Sequence, residues 1–312
     1  MKVLAEHRED LEWWCSSMQR WNGRAVLPQP VQAQLVTDAS HVGWGAHLQH
    51  HTTQGFWDSH MSNKHSNVRE MVAVLLAMKA FRPFIAHKSV QVLSDNITTV
   101  AYINHMGGPI KELTNIAKQI WLQAFQYQTT ITAKHLSGVL NVQADDLSRQ
   151  TDKFEWMLSK PTFKMLDSMW GPHTVDRFAS ALSTQLPRYN SRYLDPNGMP
   201  VDALAQIDWA EENNFVNPPM RLLDRVLQII AAQGAHATVI APWWPAQTWF
   251  ARLRAMAITT PVRIYKRAIV QLNPAVPEPL RNKRWNLYAW RICGNSRHYD
   301  KDGLFWQHRE WN

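Results

Sequence analysis

The chain has 312 residues, 45% of them hydrophobic, and a formal net charge of +8. That is enough apolar material for a sizeable core, at a length that suits two domains of ordinary size. Two distant cysteines without a C-x-x-C partner exclude a disulfide framework and a thiolate zinc site. No run of about 18 apolar residues and no N-terminal apolar segment is present, so neither a membrane span nor a secretory signal is expected; the expectation is an intracellular protein, with cytoplasm and nucleus left open.

Residues 1–30 read as a connecting tether: an amphipathic stretch from Leu4 to Trp21, then the loop VLPQP. From Val31 the pattern turns to short β-type runs, QLVTDAS and GWGAHLQ, separated by the turn residues Ser40 to Val42, which predicts a hairpin. FWDSHM at 56–61 is expected as a third strand. In HSNVREMVAVLLAMKAFRPFI the apolar residues Val68, Met71, Val72, Leu75, Leu76 and Met78 recur at spacings of three and four, which predicts a helix closed by Pro83. VQVLSD at 90–95 is a strand. Residues 97–106 and 111–127 are two helices broken by Gly107-Gly108-Pro109, TTITAKHL is a strand, and NVQADDLSR opens a last helix.

A boundary falls between about 150 and 172. Beyond it, TVDRFA, HATVIAP and VRIYKRAIVQL read as strands and PPMRLLDRVLQIIAAQG as a helix ended by Gly234, which predicts a second α/β layer fold. The last 62 residues hold 12 Lys/Arg against 4 Asp/Glu, interleaved with Trp285, Tyr288, Trp290, Tyr299 and Trp306. Cations mixed with aromatic rings suit a phosphate backbone and unstacked bases; an ordinary soluble basic tail has the same composition.

Four acids occupy strand ends and helix starts: Asp38, Glu70, Asp95 and Asp145. Such positions converge in space, and several carboxylates are what a pair of divalent cations needs for phosphodiester hydrolysis. Taken singly, each acid reads as a turn, cap or solvated residue; it is the four together that point elsewhere. The segments LVTDAS-x-x-GWGA, VREMVAV, VLSDN and KHLSGVLNVQADDLSR resemble the ribonuclease H domain that follows reverse transcriptase in retroelements, over about residues 31–150. That resemblance implies a mixed sheet with flanking helices, two Mg²⁺ or Mn²⁺ ions held by Asp38, Glu70, Asp95 and Asp145, and a mobile histidine at His135. It also implies an RNA/DNA hybrid as partner. Asp146 competes with Asp145, but the A-D-x-L-S-R form assigns the role to Asp145. The basic protrusion with which the family handles substrate is not evident, since only Lys111 and Lys118 are basic between 96 and 133.

In the second half, VDRFAS and IDWAEENNFVNPPM place an aspartate after one strand and Asn217-Pro218-Pro219 after another. This resembles the phage-type DNA adenine N6-methyltransferase family, which implies a Rossmann-type domain, DNA as a further partner, and contacts to S-adenosylmethionine or a flipped base from Asp176, Asp208, Asn217, Pro218 and Pro219. The chain departs from the motif at Met220, where the family has an aromatic ring, so a catalytically silent nucleic-acid-binding scaffold remains the alternative. A ribonuclease H domain joined to such a domain is similar to the downstream part of the polyprotein of DIRS-like tyrosine-recombinase retrotransposons. On that reading the chain is a fragment whose neighbour is a reverse transcriptase domain. Its regions are a tether at 1–30, the nuclease at 31–150, a linker at 151–171, the methyltransferase-like domain at 172–275 and a basic aromatic tail at 276–312.

Overall fold

The structure is a computed structural model and describes residues 5–21, 29–149, 156–272 and 286–295. It opens with α1 (Ala5–Trp21), in which Trp13 meets Phe125 edge-to-face at 6.0 Å. The tether is therefore a helix that contacts the first unit.

The first unit is built on β1 (Ala33–Ala39), β2 (Gly43–Leu48) and β3 (His51–Phe56), a meander of antiparallel strands, to which β4 (Ser89–Ser94) and β5 (Thr130–His135) add in parallel, in the order β3-β2-β1-β4-β5. The third strand lies earlier than FWDSHM. Asp58 accepts a hydrogen bond from Met61 N at 2.7 Å, and this cap starts the short helix α2 (Ser59–Ser62) where a strand was expected. Helix α3 (Ser66–Ala80) buries Val68, Met71, Val74, Leu75 and Met78 against the sheet. Pro83, which cannot donate within a continuing helix, sits in the first turn of α4 (Arg82–Ile85). Helices α5 (Ile97–Asn104) and α6 (Lys111–Gln126) follow β4, and α6 buries Leu113, Ile116, Ala117 and Ile120 in the same core.

The opposite face of the sheet receives α7 (Val142–Arg149). This packing explains the glycines of GWGA: a Cβ on Gly45 would run into the Leu147 side chain and lie 2.6 Å from Ser148 N. Close backbone approach is what a glycine in a strand permits, and here it seats α7 against β2, whose Gly45 pairs with Asp38 of β1.

The second unit has a mixed sheet made of β7 (Val175–Asp176), β8 (Asn213–Val216), β9 (His236–Pro242), β10 (Val262–Ile264) and β12 (Leu287–Cys293), in the order β10-β12-β9-β8-β7. Strands β7, β8 and β9 are parallel, whereas β12 runs antiparallel between β9 and β10. Helices α9 (Leu223–Gln233) and α10 (Thr248–Met256) cover one face; α8 (Lys160–Trp170) and the ribbon of β6 (Trp156–Leu158) with β11 (Ile269–Gln271) cover the other. α9 ends on Gly234 at φ 65°, the left-handed conformation that glycine adopts without a Cβ penalty.

Two assignments change. Residues 156–170, read as linker, form β6 and α8, with Leu158, Phe163 and Leu166 buried in the second unit's core. Residues 287–293, read as tail, form a strand inside the sheet, with Trp290 fully buried. Trp285, Tyr299 and Trp306 lie outside the described residues. The two units touch where Thr53 Oγ1 donates to Leu194 O at 2.6 Å and Leu194 packs on the first core. No helix among the described residues is long and apolar enough to cross a membrane.

Candidate active site

Asp38 sits near the end of β1, the strand buried between β2 and β4, and is 6% exposed. Glu70, also 6% exposed, comes from the second turn of α3, and Asp95 directly follows β4. Each of the three offers an oxygen, and these oxygens lie within 4.8 Å of one another. Parallel neighbours deliver Asp38 and Asp95 to the same edge, and α3 leans Glu70 over it from the core side.

Such convergence of like charge is costly without a cation. Burial raises the Glu70 carboxyl to about 9, the charges of Asp38 and Asp95 add to the rise, and a hydrogen bond from Ala39 N at 3.3 Å to Oε1 opposes it. Its other oxygen, Oε2, is buried with no hydrogen-bond partner among the described residues. Asp38 is pushed the same way, by burial first and then by the charges of Asp95 and Asp145. An orphaned buried oxygen beside two further carboxylates is a hard, oxygen-only donor set, and that set suits Mg²⁺ or Mn²⁺.

Asp38 is held by groups that sequence reasoning missed. Ser148 Oγ donates to its Oδ2 at 2.6 Å and Asn141 Nδ2 to its Oδ1 at 3.3 Å. Both come from the segment that carries Asp145, and Ser148, three residues after Asp145, lies on the same helical face; that spacing was the available signal. Asp145 itself is not in the close group of three. It lies in the first turn of α7, where Arg149 one turn later holds its Oδ1 at 2.6 Å, although its charge still reaches Asp38. His135, at the end of β5 opposite Ser94, places Nε2 3.1 Å from the backbone carbonyl of Asp95. It stands beside the cluster and touches no carboxylate of it.

In the second unit, Asp176 ends β7 and Asn217 follows β8, so adjacent parallel strands bring both to one carboxyl edge. Asp176 is 2% exposed; its Oδ2 accepts from Gln185 N at 3.0 Å, while Oδ1 is buried without a partner among the described residues. Burial lifts it to about 7, against the hydrogen bond from the Gln185 backbone. Asn217 Nδ2 donates to Trp156 O at 3.3 Å, and Gln185 Nε2 to Leu158 O at 2.7 Å. Asn217 Oδ1 and Gln185 Oε1 are also buried and unpartnered there. Pro218 is buried and Pro219 starts the short turn of Met220–Leu222. Asp208 stands apart from this group: it forms an ion pair at 2.8 Å with buried Arg177, whose guanidinium lies over Trp209.

No family model matches the chain. The enzymatic polyprotein of Carnation etched ring virus is 27% identical over 135 residues, covering 40% of this chain and 20% of that protein. The enzymatic polyprotein of Figwort mosaic virus (strain DxS) is 27% identical over 138 residues with the same coverage. The chain thus spans about a fifth of the length of the curated relatives it matches. Among solved structures, LC11-RNase H1 in complex with an RNA/DNA hybrid aligns at 16% identity with a TM-score of 0.33, over 37% of this chain and 93% of that one. RNase H1 from the halophilic archaeon Halobacterium salinarum NRC-1 aligns at 14% identity and TM-score 0.29, over 37% and 92%. The foamy viral protease-reverse transcriptase in complex with an RNA/DNA hybrid aligns at 13% identity and TM-score 0.26, over 48% and 27%. Over about 40% of its length the chain is similar to two viral enzymatic polyproteins, and its second sheet has no assigned type.

Proposed function

We propose that the first unit is a divalent-metal-dependent endonuclease that cuts the RNA strand of an RNA/DNA hybrid, within a retroelement polyprotein that also holds a reverse transcriptase. The observation that carries this reading is the convergence of oxygens from Asp38, Glu70 and Asp95 within 4.8 Å, with a buried Glu70 oxygen left without a hydrogen-bond partner among the described residues. Asp38, Glu70 and Asp95 would hold the cations, with Asp145 as a further carboxylate that could join them if released from Arg149. The chemistry that bound Mg²⁺ or Mn²⁺ supplies at such a site is activation of a water and stabilisation of the leaving oxygen, giving 3′-hydroxyl and 5′-phosphate ends. His135, braced on the Asp95 carbonyl, moves a proton at the edge of the cluster. Selection of RNA over DNA rests on the ribose 2′-hydroxyl.

The test is incubation of the chain with a labelled hybrid and Mg²⁺. Cleavage confined to the RNA strand, and its loss in Asp38→Asn and Asp95→Asn, is expected. A folded wild-type protein that does not cut, or variants that cut as well, would leave the silent scaffold as the better reading.

A second reading concerns the other unit. The oxygens of Asp176 and Asn217 that lack a partner among the described residues, at one carboxyl edge, favour a ligand rich in N–H donors, as S-adenosylmethionine or an adenine amine is. Calorimetry with S-adenosylmethionine on wild type and Asn217→Ala decides it: heat of binding lost in the variant supports a methyltransferase-like site, and no heat in wild type removes it.

A further inference from the structure

We propose that the exposed edge of the second sheet, formed by β10 and the turn that follows it, binds a single strand of nucleic acid. Between Asp224 and Glu278 the sequence contains no carboxylate but carries Arg225, Arg252, Arg254, Arg263, Lys266 and Arg267. The last three lie together on the edge strand and its exit.

Strand alternation sets up this surface. Ile264 is 5% exposed and faces the core, so Arg263 and Tyr265 on either side of it turn outward, and Tyr265 is 56% exposed. The Arg263 guanidinium lies 5.5 Å and that of Arg267 5.6 Å from the Tyr265 ring centroid. Arg263 also donates to Asn286 Oδ1 at 2.9 Å, a neutral partner that fixes the guanidinium, and it forms no ion pair among the described residues. A large ring held outward at a sheet edge, braced by two planar cations, has no use in the core. Both parts fit a nucleic-acid strand: phosphates meet the guanidinium groups, and an unstacked base stacks on the ring or on a guanidinium plane. Duplex bases are already stacked, so the ring selects a single strand. The surface also offers the cations that the nuclease unit lacks between residues 96 and 133, where only Lys111 and Lys118 are basic.

This inference rests on the reading that the chain handles nucleic acid, and it is measured without divalent metal so that binding and cleavage fail separately. The full chain in EDTA is titrated into a labelled oligothymidine, followed by fluorescence anisotropy over a range of salt. Arg263→Ala and Arg267→Ala are each expected to flatten the log–log salt dependence by about 0.7. Tyr265→Ala is expected to weaken binding about fivefold to a hundredfold with the slope unchanged, as loss of one stacked base does, and Tyr265→Phe to bind as wild type does. Lys88→Ala, an exposed cation at the start of β4, is the control that leaves the slope as it was. Three variants that bind like wild type, or duplex DNA that competes as well as the single strand, overturn the proposal, provided melting curves show each variant folded.

Discussion

The two units each bring buried acid chemistry to the carboxyl edge of parallel strands, but with opposite composition. The first edge gathers three carboxylates whose oxygens lie within 4.8 Å. The second gathers one carboxylate and two amides, with Asp176 Oδ1, Asn217 Oδ1 and Gln185 Oε1 all without partners among the described residues. Like charges repel across the first edge, and burial with that repulsion lifts Glu70 to about 9; a cation relieves the conflict. At the second edge burial alone is the leading cause of the Asp176 rise to about 7, and a neutral donor or a proton is sufficient. The lesson is that convergence of acceptors at a strand edge does not name a ligand; the number of full charges among them does.

The contrast is broken most severely by removing a charge from the first edge. Asp38→Asn or Asp95→Asn is expected to lower hybrid cleavage by about a thousandfold or more, since several kcal/mol of transition-state charge stabilisation is at stake, measured as initial rates with Mg²⁺. The same change at the second edge, Asp176→Asn, is expected to leave cleavage unaltered. If it does not, the two edges are coupled through the Leu194 contact.

The next effect separates holding a charge from being one. Ser148→Ala deprives Asp38 Oδ2 of its 2.6 Å donor, and partners of this kind are typically worth about 10-fold to 100-fold in metal affinity or activity. The expected outcome is a half-saturating Mg²⁺ concentration raised about tenfold with KM for the hybrid unchanged. Ser148→Cys, similar in shape but a poor donor, should behave like the alanine variant. If cysteine restores the wild-type metal titration, Ser148 serves packing against Gly45 and not Asp38.

How much of this was legible depends on whether the determinant was local. The periodic apolar spacing of α3 and the short β-type runs of β1 and β4 could be read directly, and with them the positions of Asp38, Glu70 and Asp95. FWDSHM misled because an aromatic start resembles a strand, while the deciding interaction is one side-chain cap from Asp58. β12 was hidden in a basic tail because its pairing partner, β9, lies about fifty residues upstream, and no local pattern records such a partner. Its burial on both faces, from Leu287 to Ile292, does not produce the polar alternation of a half-exposed strand. Asp145 was read as an equal fourth ligand; the pairing with Arg149 at i,i+4 was visible in the spacing, but its consequence depends on geometry.

A smaller, pH-dependent effect is expected at the second edge. The folded Asp176 carboxyl, raised to about 7 from an ordinary 3.8, favours the protonated form. Its contribution to stability is therefore fully present below about pH 4 and is lost as pH rises through about 7. Asparagine does not titrate. Between pH 5 and pH 8 the stability of Asp176→Asn relative to wild type should improve by about 2–3 kcal/mol, followed by urea denaturation at each pH. A difference that stays constant over this range means that the group titrates normally, and the edge is wetter than its 2% exposure implies.

The smallest effect tests the placement of Asp145. Arg149 is well exposed, so Arg149→Ala should cost less than about 1 kcal/mol in stability. Its consequence for metal is of opposite sign to that of Ser148→Ala. Removing the cation frees the Asp145 carboxylate and makes the potential at Asp38 more negative, because Arg149 is one of the groups that lowers the Asp38 pKa. Binding of Mn²⁺, measured by calorimetry without substrate, should therefore tighten by about twofold to threefold, the size expected of one partly screened charge. Weaker binding in this variant would mean that Arg149 aims Asp145 at the cluster, so that the pair seen here belongs to the assembled site and is not a competitor for it.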